Sequence, residues 1–335
     1  MKESDIRNKE MIDQGTYFYK IDLEKIIFDK NGSDFVKVNC PVCKKDGHNG
    51  LKKINGFTYC LCANCDTVYI SPRPGEEKLE KWYSESEWTG KRRLKYLDLL
   101  SKKRLEITYP RIQDFIRQID LDKKDVRVLD IGCGNGSLLK AIKGMLQDRH
   151  KVELHGTEAG STEHLKIEDI KLHYGMVEKL EMDVKFEIVC CIELIEHLYN
   201  PEIVLNKIFD LLAPGGFVYI STPNWYGVDF QFIGDRYRNF MAPTHIQFFN
   251  PGPLKTLMER SGFSVMDITT PGQLDVELIK QYFFRQDGRR TFERNRVLDF
   301  ICSDLPEAGL FRNDLQDLLK KYNLSGSMRC IAKRN

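Results

Sequence analysis

The twelve residues from Val128 to Leu139, VLDIGCGNGSLL, constrain the fold more than any other part of the chain. An apolar run (Val126, Val128, Leu129, Ile131) ends in alternating glycines at 132, 134 and 136, and Ser137, Leu138 and Leu139 then open a helical pattern. A buried strand that turns over glycines into a helix offers backbone N–H groups at its carboxyl end, where open α/β sheets bind ligands. Strands and helices keep alternating from Val126 to about Ile268. The candidate strands are VRVLDI, VELHGTE, IKLHYG, FEIVCCI, GFVYIST and FSVMDIT. That order predicts an α/β fold, with a Rossmann-like doubly wound parallel sheet over residues 126–270.

The glycine spacing narrows the ligand. A dinucleotide fingerprint needs small residues at positions one, three and six. Counted from Gly132, position six is Ser137 and an extra glycine stands at position five, while Asp130 sits at the strand end just before the turn. The pattern Asp-x-Gly-x-Gly-x-Gly resembles the first motif of class I S-adenosylmethionine (SAM) methyltransferases. SAM carries no phosphate, so the loop must approach a cationic amino-acid tail closely, and an acid suits that charge. The alternative is a glycine-rich turn with a packing role only.

Two C-x-x-C pairs precede this domain, Cys40-Pro-Val-Cys43 and Cys62-Ala-Asn-Cys65, with 18 residues between them. Each pair can form a tight turn that directs two thiolates at one point, and two such turns complete a tetrahedral Zn²⁺ site. Four thiolates leave no open position, so the expected metal is structural. Tyr59, Leu61 and Thr67 to Ile70 supply strand residues, as in a zinc ribbon over residues 40–75. Redox-active C-x-x-C pairs are the alternative. Cys60 lies two residues before Cys62 and could substitute as a ligand, and His48 reads as a solvated loop residue.

At 335 residues the chain has room for one sizeable core plus a smaller module. A formal net charge of +2 singles out no partner. No window reaches the apolar length of a membrane span, and the polar start MKESDIRNKE is not a secretory signal. Ten cysteines in such a chain are expected reduced or on metal, and the expected location is the cytoplasm. Residues 1–39 form an extension without an assigned role. Residues 76–125 read as a helical linker or lid, and 271–335 as a charged, helical C-terminal tail.

Further motifs follow in register with the glycine loop. Glu158 ends the second strand, about twenty residues beyond the last glycine, where a carboxylate can accept hydrogen bonds from both ribose hydroxyls. Met176 and Val177, after Gly175, could clasp the adenine. Ile192, Glu193 and His197 follow the fourth strand, near the expected methionine end of SAM. The run Glu193-Leu-Ile-Glu196-His197-Leu198, then Asn200-Pro201, Leu211-Leu-Ala-Pro-Gly-Gly216 and Ser221-Thr222-Pro223-Asn224, resembles the linked signature of small-molecule class I methyltransferases. The resemblance is to the ubiquinone-type and sugar methyltransferases, and the cysteine segment through Trp82-Tyr83 is similar to the zinc-bearing front end of bacterial sugar and polysaccharide enzymes. It implies SAM as co-substrate, structural Zn²⁺, and a sugar, nucleotide sugar or glycan hydroxyl or amine as acceptor. Sugar C-methyltransferases with this front end carry a second large α/β domain, which argues against carbon methylation here.

In-line methyl transfer to an alcohol benefits from a general base. His245, in Met241-Ala-Pro-Thr-His245-Ile-Gln-Phe-Phe249, follows the fifth strand and an aromatic insert from Trp225 to Phe240 that also carries Arg236 and Arg238. It reads as the base or as a histidine packing the next helix. His197 could alternatively make a structural hydrogen bond. Tyr83 could reach the site from a lid helix, or simply pack. The competing function is RNA methylation, with Lys37, Lys44, Lys45, Lys52 and Lys53 around the ribbon and the basic run 91–104 gripping the backbone. A SAM-binding protein without turnover is a third reading.

Overall fold

A computed structural model describes residues 17–29, 33–159, 166–237, 239–283 and 296–335, with the backbone alone described at 51, 90–104, 235, 281 and 283. The basic run 91–104 and Arg238 therefore fall outside the described side chains. The ribbon strands come first: β1 (His48–Ile54), β2 (Phe57–Cys62) and β3 (Val68–Ile70). Helices α1 (Glu76–Glu85) and α2 (Glu87–Gln118) follow, where the sequence predicts one continuous helical stretch. The break has a local cause. Ser86 leaves helical geometry, its Oγ caps the N–H of Thr89, and buried Asp22 accepts from both the Ser86 hydroxyl (2.7 Å) and the Trp88 N–H (2.8 Å).

Strands β4 (Asp125–Ile131), β5 (Lys151–Glu158), β6 (Ile170–Tyr174), β7 (Phe186–Ile192) and β8 (Leu212–Pro223) run parallel. Helices α3 (Ser137–Leu146) and α4 (Pro201–Leu211) alternate with them. Three more elements follow β8: helix α5 (Val228–Ile233), the two-residue strand β9 (Gln247–Phe248) and helix α6 (Pro251–Arg260). Strand β10 (Ser264–Thr269) returns to the main sheet. The tail holds helices α7 (Val276–Phe283), α8 (Arg296–Ile301) and α9 (Pro306–Lys321), as the charged sequence predicts.

It also holds a strand that the helical reading leaves out. β11 (Ser327–Lys333) lies antiparallel between β8 and β10, giving the sheet order β10-β11-β8-β7-β4-β5-β6. Its residues Met328 to Ala332 are almost wholly buried, because a central strand covered on both faces needs apolar or internally paired side chains. The sheet thus extends beyond residue 270. Strand order reverses between β4 and β7, which opens a crevice at their carboxyl ends, and one apolar layer packs each face. If β11 is a core strand, Ile331→Ala should lower stability by ~2–5 kcal/mol in denaturant unfolding, whereas a surface tail would give about 0.5 or less.

Candidate active site

The glycine loop is built as its spacing implies. Gly132, Gly134 and Gly136 all have positive φ (77°, 57° and 73°), a backbone geometry that side-chain-bearing residues rarely adopt. The Gly132 and Cys133 N–H groups bond to the Thr157 carbonyl, and the Gly134 N–H donates to the Glu158 carboxylate. Asp130 lies beneath the loop, 4 % exposed. Burial, with the Glu158 charge adding to it, holds its carboxyl well above the usual range. Gly136 has a different role. A Cβ there would lie 2.3 Å from Ile170 Cδ1, so this glycine permits close helix–strand packing and does not line the crevice.

At the end of β7 the backbone turns sharply, with Glu193 at φ 49°. Its carboxylate accepts from the Ser221 hydroxyl at 3.0 Å. Fully buried Glu196 accepts from the Thr222 hydroxyl at 2.9 Å, and its other oxygen lies 3.6 Å from His197 Nε2. The His197 and His245 rings meet edge to face at 4.7 Å. His245 Nδ1 lies 3.0 Å from the Asn239 carbonyl, so Nδ1 carries the proton and Nε2 the lone pair in the neutral ring. Tyr83 Oη lies 3.3 Å from His197 Nδ1 and 3.4 Å from the Thr244 carbonyl.

The ribbon decides where His245 stands. β9 adds to β3 as the fourth strand of the ribbon sheet, pairing Val68 with Phe248 and Tyr69 with Gln247. On its other side the Ile246 N–H bonds to the Glu196 carbonyl, and Gln247 Nε2 reaches the carbonyls of Ile195 and Leu198. Trp82 Nε1 donates to Thr244 Oγ1, and the Tyr59 hydroxyl accepts from the Ala242 N–H. In the ribbon itself the sulfurs of Cys40, Cys43, Cys62 and Cys65 converge within 4.8 Å of one another. Cys60 points away, toward the Ser71 carbonyl, and exposed His48 lies against the Tyr69 ring.

These parts enclose a cavity of about 810 Å³, within the range of small-molecule sites. Its walls include Asp130, Gly132, Gly134, Glu158, Met176, Val177, Ile192, Glu193, His197, Tyr83 and His245. A family model described as "Methyltransferase domain" matches residues 103–268. A ubiquinone biosynthesis O-methyltransferase of Psychrobacter arcticus is 31 % identical over 175 residues, 48 % of this chain and 67 % of that protein. The chain belongs to the SAM-dependent methyltransferases. A second ubiquinone biosynthesis O-methyltransferase, from Coxiella burnetii, is 27 % identical over 58 % of this chain and 84 % of its own length. Among solved structures, phosphoethanolamine N-methyltransferase 2 of Haemonchus contortus aligns with 80 % of this chain and 62 % of its own, at 14 % identity and a TM-score of 0.47.

Some lining residues of this methyltransferase carry no readable sequence signal. Arg111 of α2, Asp229 of α5 and Asp275 before α7 reach the cavity from elements far apart in the chain. Arg111 donates to Ser327 Oγ (3.3 Å) and the Pro271 carbonyl (3.4 Å), and burial lowers its guanidinium from the ordinary value. The aromatic insert from Trp225 to Phe240 divides between core packing and the cavity wall. Phe230 and Phe240 are buried in the cluster that joins ribbon to sheet, while Asp229, Tyr237 and Asn239 line the cavity.

Burial, then the Asp275 charge, pushes Asp229 up to about 7. The folded protein therefore binds more protons than the unfolded chain between about pH 4 and 7, and stability falls as pH rises through that window. Asp229→Asn should flatten this fall and raise the melting temperature above wild type at pH 8, with little difference at pH 4.

Proposed function

We propose that the methyltransferase moves the SAM methyl group to a hydroxyl or amine of a small polar acceptor, with a sugar, nucleotide sugar or glycan as the acceptor class. The observation carrying this reading is the convergence of the glycine loop, the Glu158 carboxylate and the His245 imidazole on one cavity. In the proposed arrangement Gly132 and Gly134 admit the methionine tail, Asp130 and Glu193 face its ammonium, and Glu158 takes the ribose hydroxyls. Met176 and Val177 flank the adenine, with Ile192 and His197 beside the sulfonium end. Holding donor and acceptor in line can supply ~7–11 kcal/mol of barrier lowering.

His245 is the proposed general base, through Nε2. Tyr83 would orient His197 beside it. As the methyl carbon leaves the sulfonium for the acceptor oxygen, the hydroxyl proton would pass to His245. The relatives' printed names support oxygen as the accepting atom. The RNA reading gains no comparable support. Lys44 pairs with Glu202 and Lys45 with Asn64.

We also assign Zn²⁺ to the four ribbon cysteines. Two of their S···S distances are 3.5 Å, close to the ~3.8 Å edge of a Zn–thiolate tetrahedron. A thiol-modifying reagent with a chelator should release about one Zn²⁺ per chain, and because β9 is held by ribbon strand β3, turnover should fall before S-adenosylhomocysteine (SAH) affinity does.

Release of SAH with candidate sugars, sugar nucleotides and glycans, followed by mass spectrometry of the product, tests the reading as a whole. His245→Ala should lower kcat by ~10²–10⁴-fold with SAH affinity unchanged, and full retention of kcat would remove the base assignment. Asp130 adds a pH signature. Burial raises its carboxyl above the usual range and a SAM cation beside it should lower it again, so SAM affinity should rise with pH, as calorimetry at several pH values would show.

A further inference from the structure

Two carboxylates of the cavity wall have no part in the proposed donor or base arrangement. Asp229, in the first turn of α5, and Asp275, just before α7, are 5 % and 4 % exposed, and both line the cavity. Asp275 Oδ1 accepts from the Leu278 N–H at 2.9 Å, which fixes it at the start of α7. Asp229 is held differently. A Cβ on Gly326 would lie 2.3 Å from Asp229 Oδ2, so this oxygen rests against bare backbone. The other oxygen, Oδ1, is buried without a hydrogen-bond partner, and among the described residues no ion pair reaches it. A buried carboxylate oxygen without a donor is costly, more so with a second acid nearby. Burial, with the Asp229 and Asp275 charges adding to it, raises the hydroxyl of Tyr237, which lines the same cavity. Two residues further on, the Asn239 carbonyl holds His245, so one insert carries both this acid and the partner of the proposed base.

We propose that Asp229, Asp275 and Tyr237 form a subsite for a protonated primary amine, and that the acceptor is an amino sugar methylated on a hydroxyl. This rests on the methyl-transfer reading and narrows its acceptor class. An ammonium brings three donors and one positive charge. These answer the orphaned Oδ1, the second carboxylate and the phenol oxygen, and they remove the repulsion between the acids. A neutral hydroxyl brings one donor and leaves the like charges in place. Among the described residues the two acids join no three-ligand metal cluster. The held ammonium has no lone pair and therefore cannot attack the sulfonium. The acceptor hydroxyl does so instead: its oxygen forms the O–CH₃ bond, its proton passes to His245, and the C–S electron pair returns to sulfur. The amine is recognised and leaves unmethylated.

Full-length protein, zinc-loaded and saturated with SAH, is titrated by calorimetry at pH 7 with D-glucosamine, N-acetyl-D-glucosamine and D-glucose. The three share one ring and differ at a single substituent. D-Glucosamine should bind ~10–100-fold more tightly than either neutral sugar. Asp229→Asn and Asp275→Asn should each remove most of that preference, with SAH affinity as the folding control. Because Asp275 also caps α7, Asp229→Asn is the deciding variant. A packing role alone would weaken all three sugars equally. Cyclohexylamine, an ammonium without ring hydroxyls, should bind more weakly than D-glucosamine.

Equal or tighter binding of the neutral sugars, or no binding of D-glucosamine, overturns the ammonium subsite. A preference for the amine that persists in Asp229→Asn overturns its assignment to these acids. Cyclohexylamine binding as tightly as D-glucosamine overturns the sugar part of the proposal, and an N-methylated product overturns the recognition role of the amine. Failure of the parent protein to bind SAH would instead overturn the methyl-transfer reading itself.

Discussion

A few backbone hydrogen bonds around Ile246 tie the two halves of this methyltransferase together. Its carbonyl accepts from Ile70 of the ribbon and its N–H donates to the Glu196 carbonyl at the end of the main sheet. An edge strand carries one unpaired row of donors and acceptors, and the ribbon's open edge at β3 is closed by β9. The ribbon therefore helps to set the cavity wall that carries His245. His245, one residue before Ile246, inherits its position from both sheets at once.

The glycine-loop side and the histidine side of the cavity are built on different physics. Around the glycine loop, positive-φ glycines bring bare backbone up to the crevice, above a buried acid whose carboxyl is held well above the usual range. Around the histidines, side chains from α1, from β8, from the turn after β7 and from the segment before β9 meet through hydrogen bonds to carbonyls and hydroxyls. The first arrangement is local in sequence. The second needs the whole molecule to be assembled, which is why it depends on ribbon packing.

Much of the main sheet was legible because its signals are short-range. The six candidate strands of the central domain are all present, since each is an apolar run bounded by turn residues. Two elements were less visible. β11 sits in a charged tail, where Arg329 and Lys333 interrupt the apolar pattern. Its burial works because Arg329 pairs with Asp114 and Asp267, contacts no local pattern reveals. The break at Ser86 likewise depends on Asp22, a residue over sixty positions away.

Sequence alone determined the glycine turn, the acid in register with it, the paired cysteine turns and the parallel sheet, because each follows from spacing within one element or between neighbours. Only tertiary structure decided that β9 would join the ribbon, that Glu196 would stand beside two histidines, and that Arg111, Asp229 and Asp275 would share their cavity. The physical reason is range. Backbone conformation and periodic burial are written in adjacent residues, while the direction of a buried polar side chain is set by whichever distant partner satisfies it.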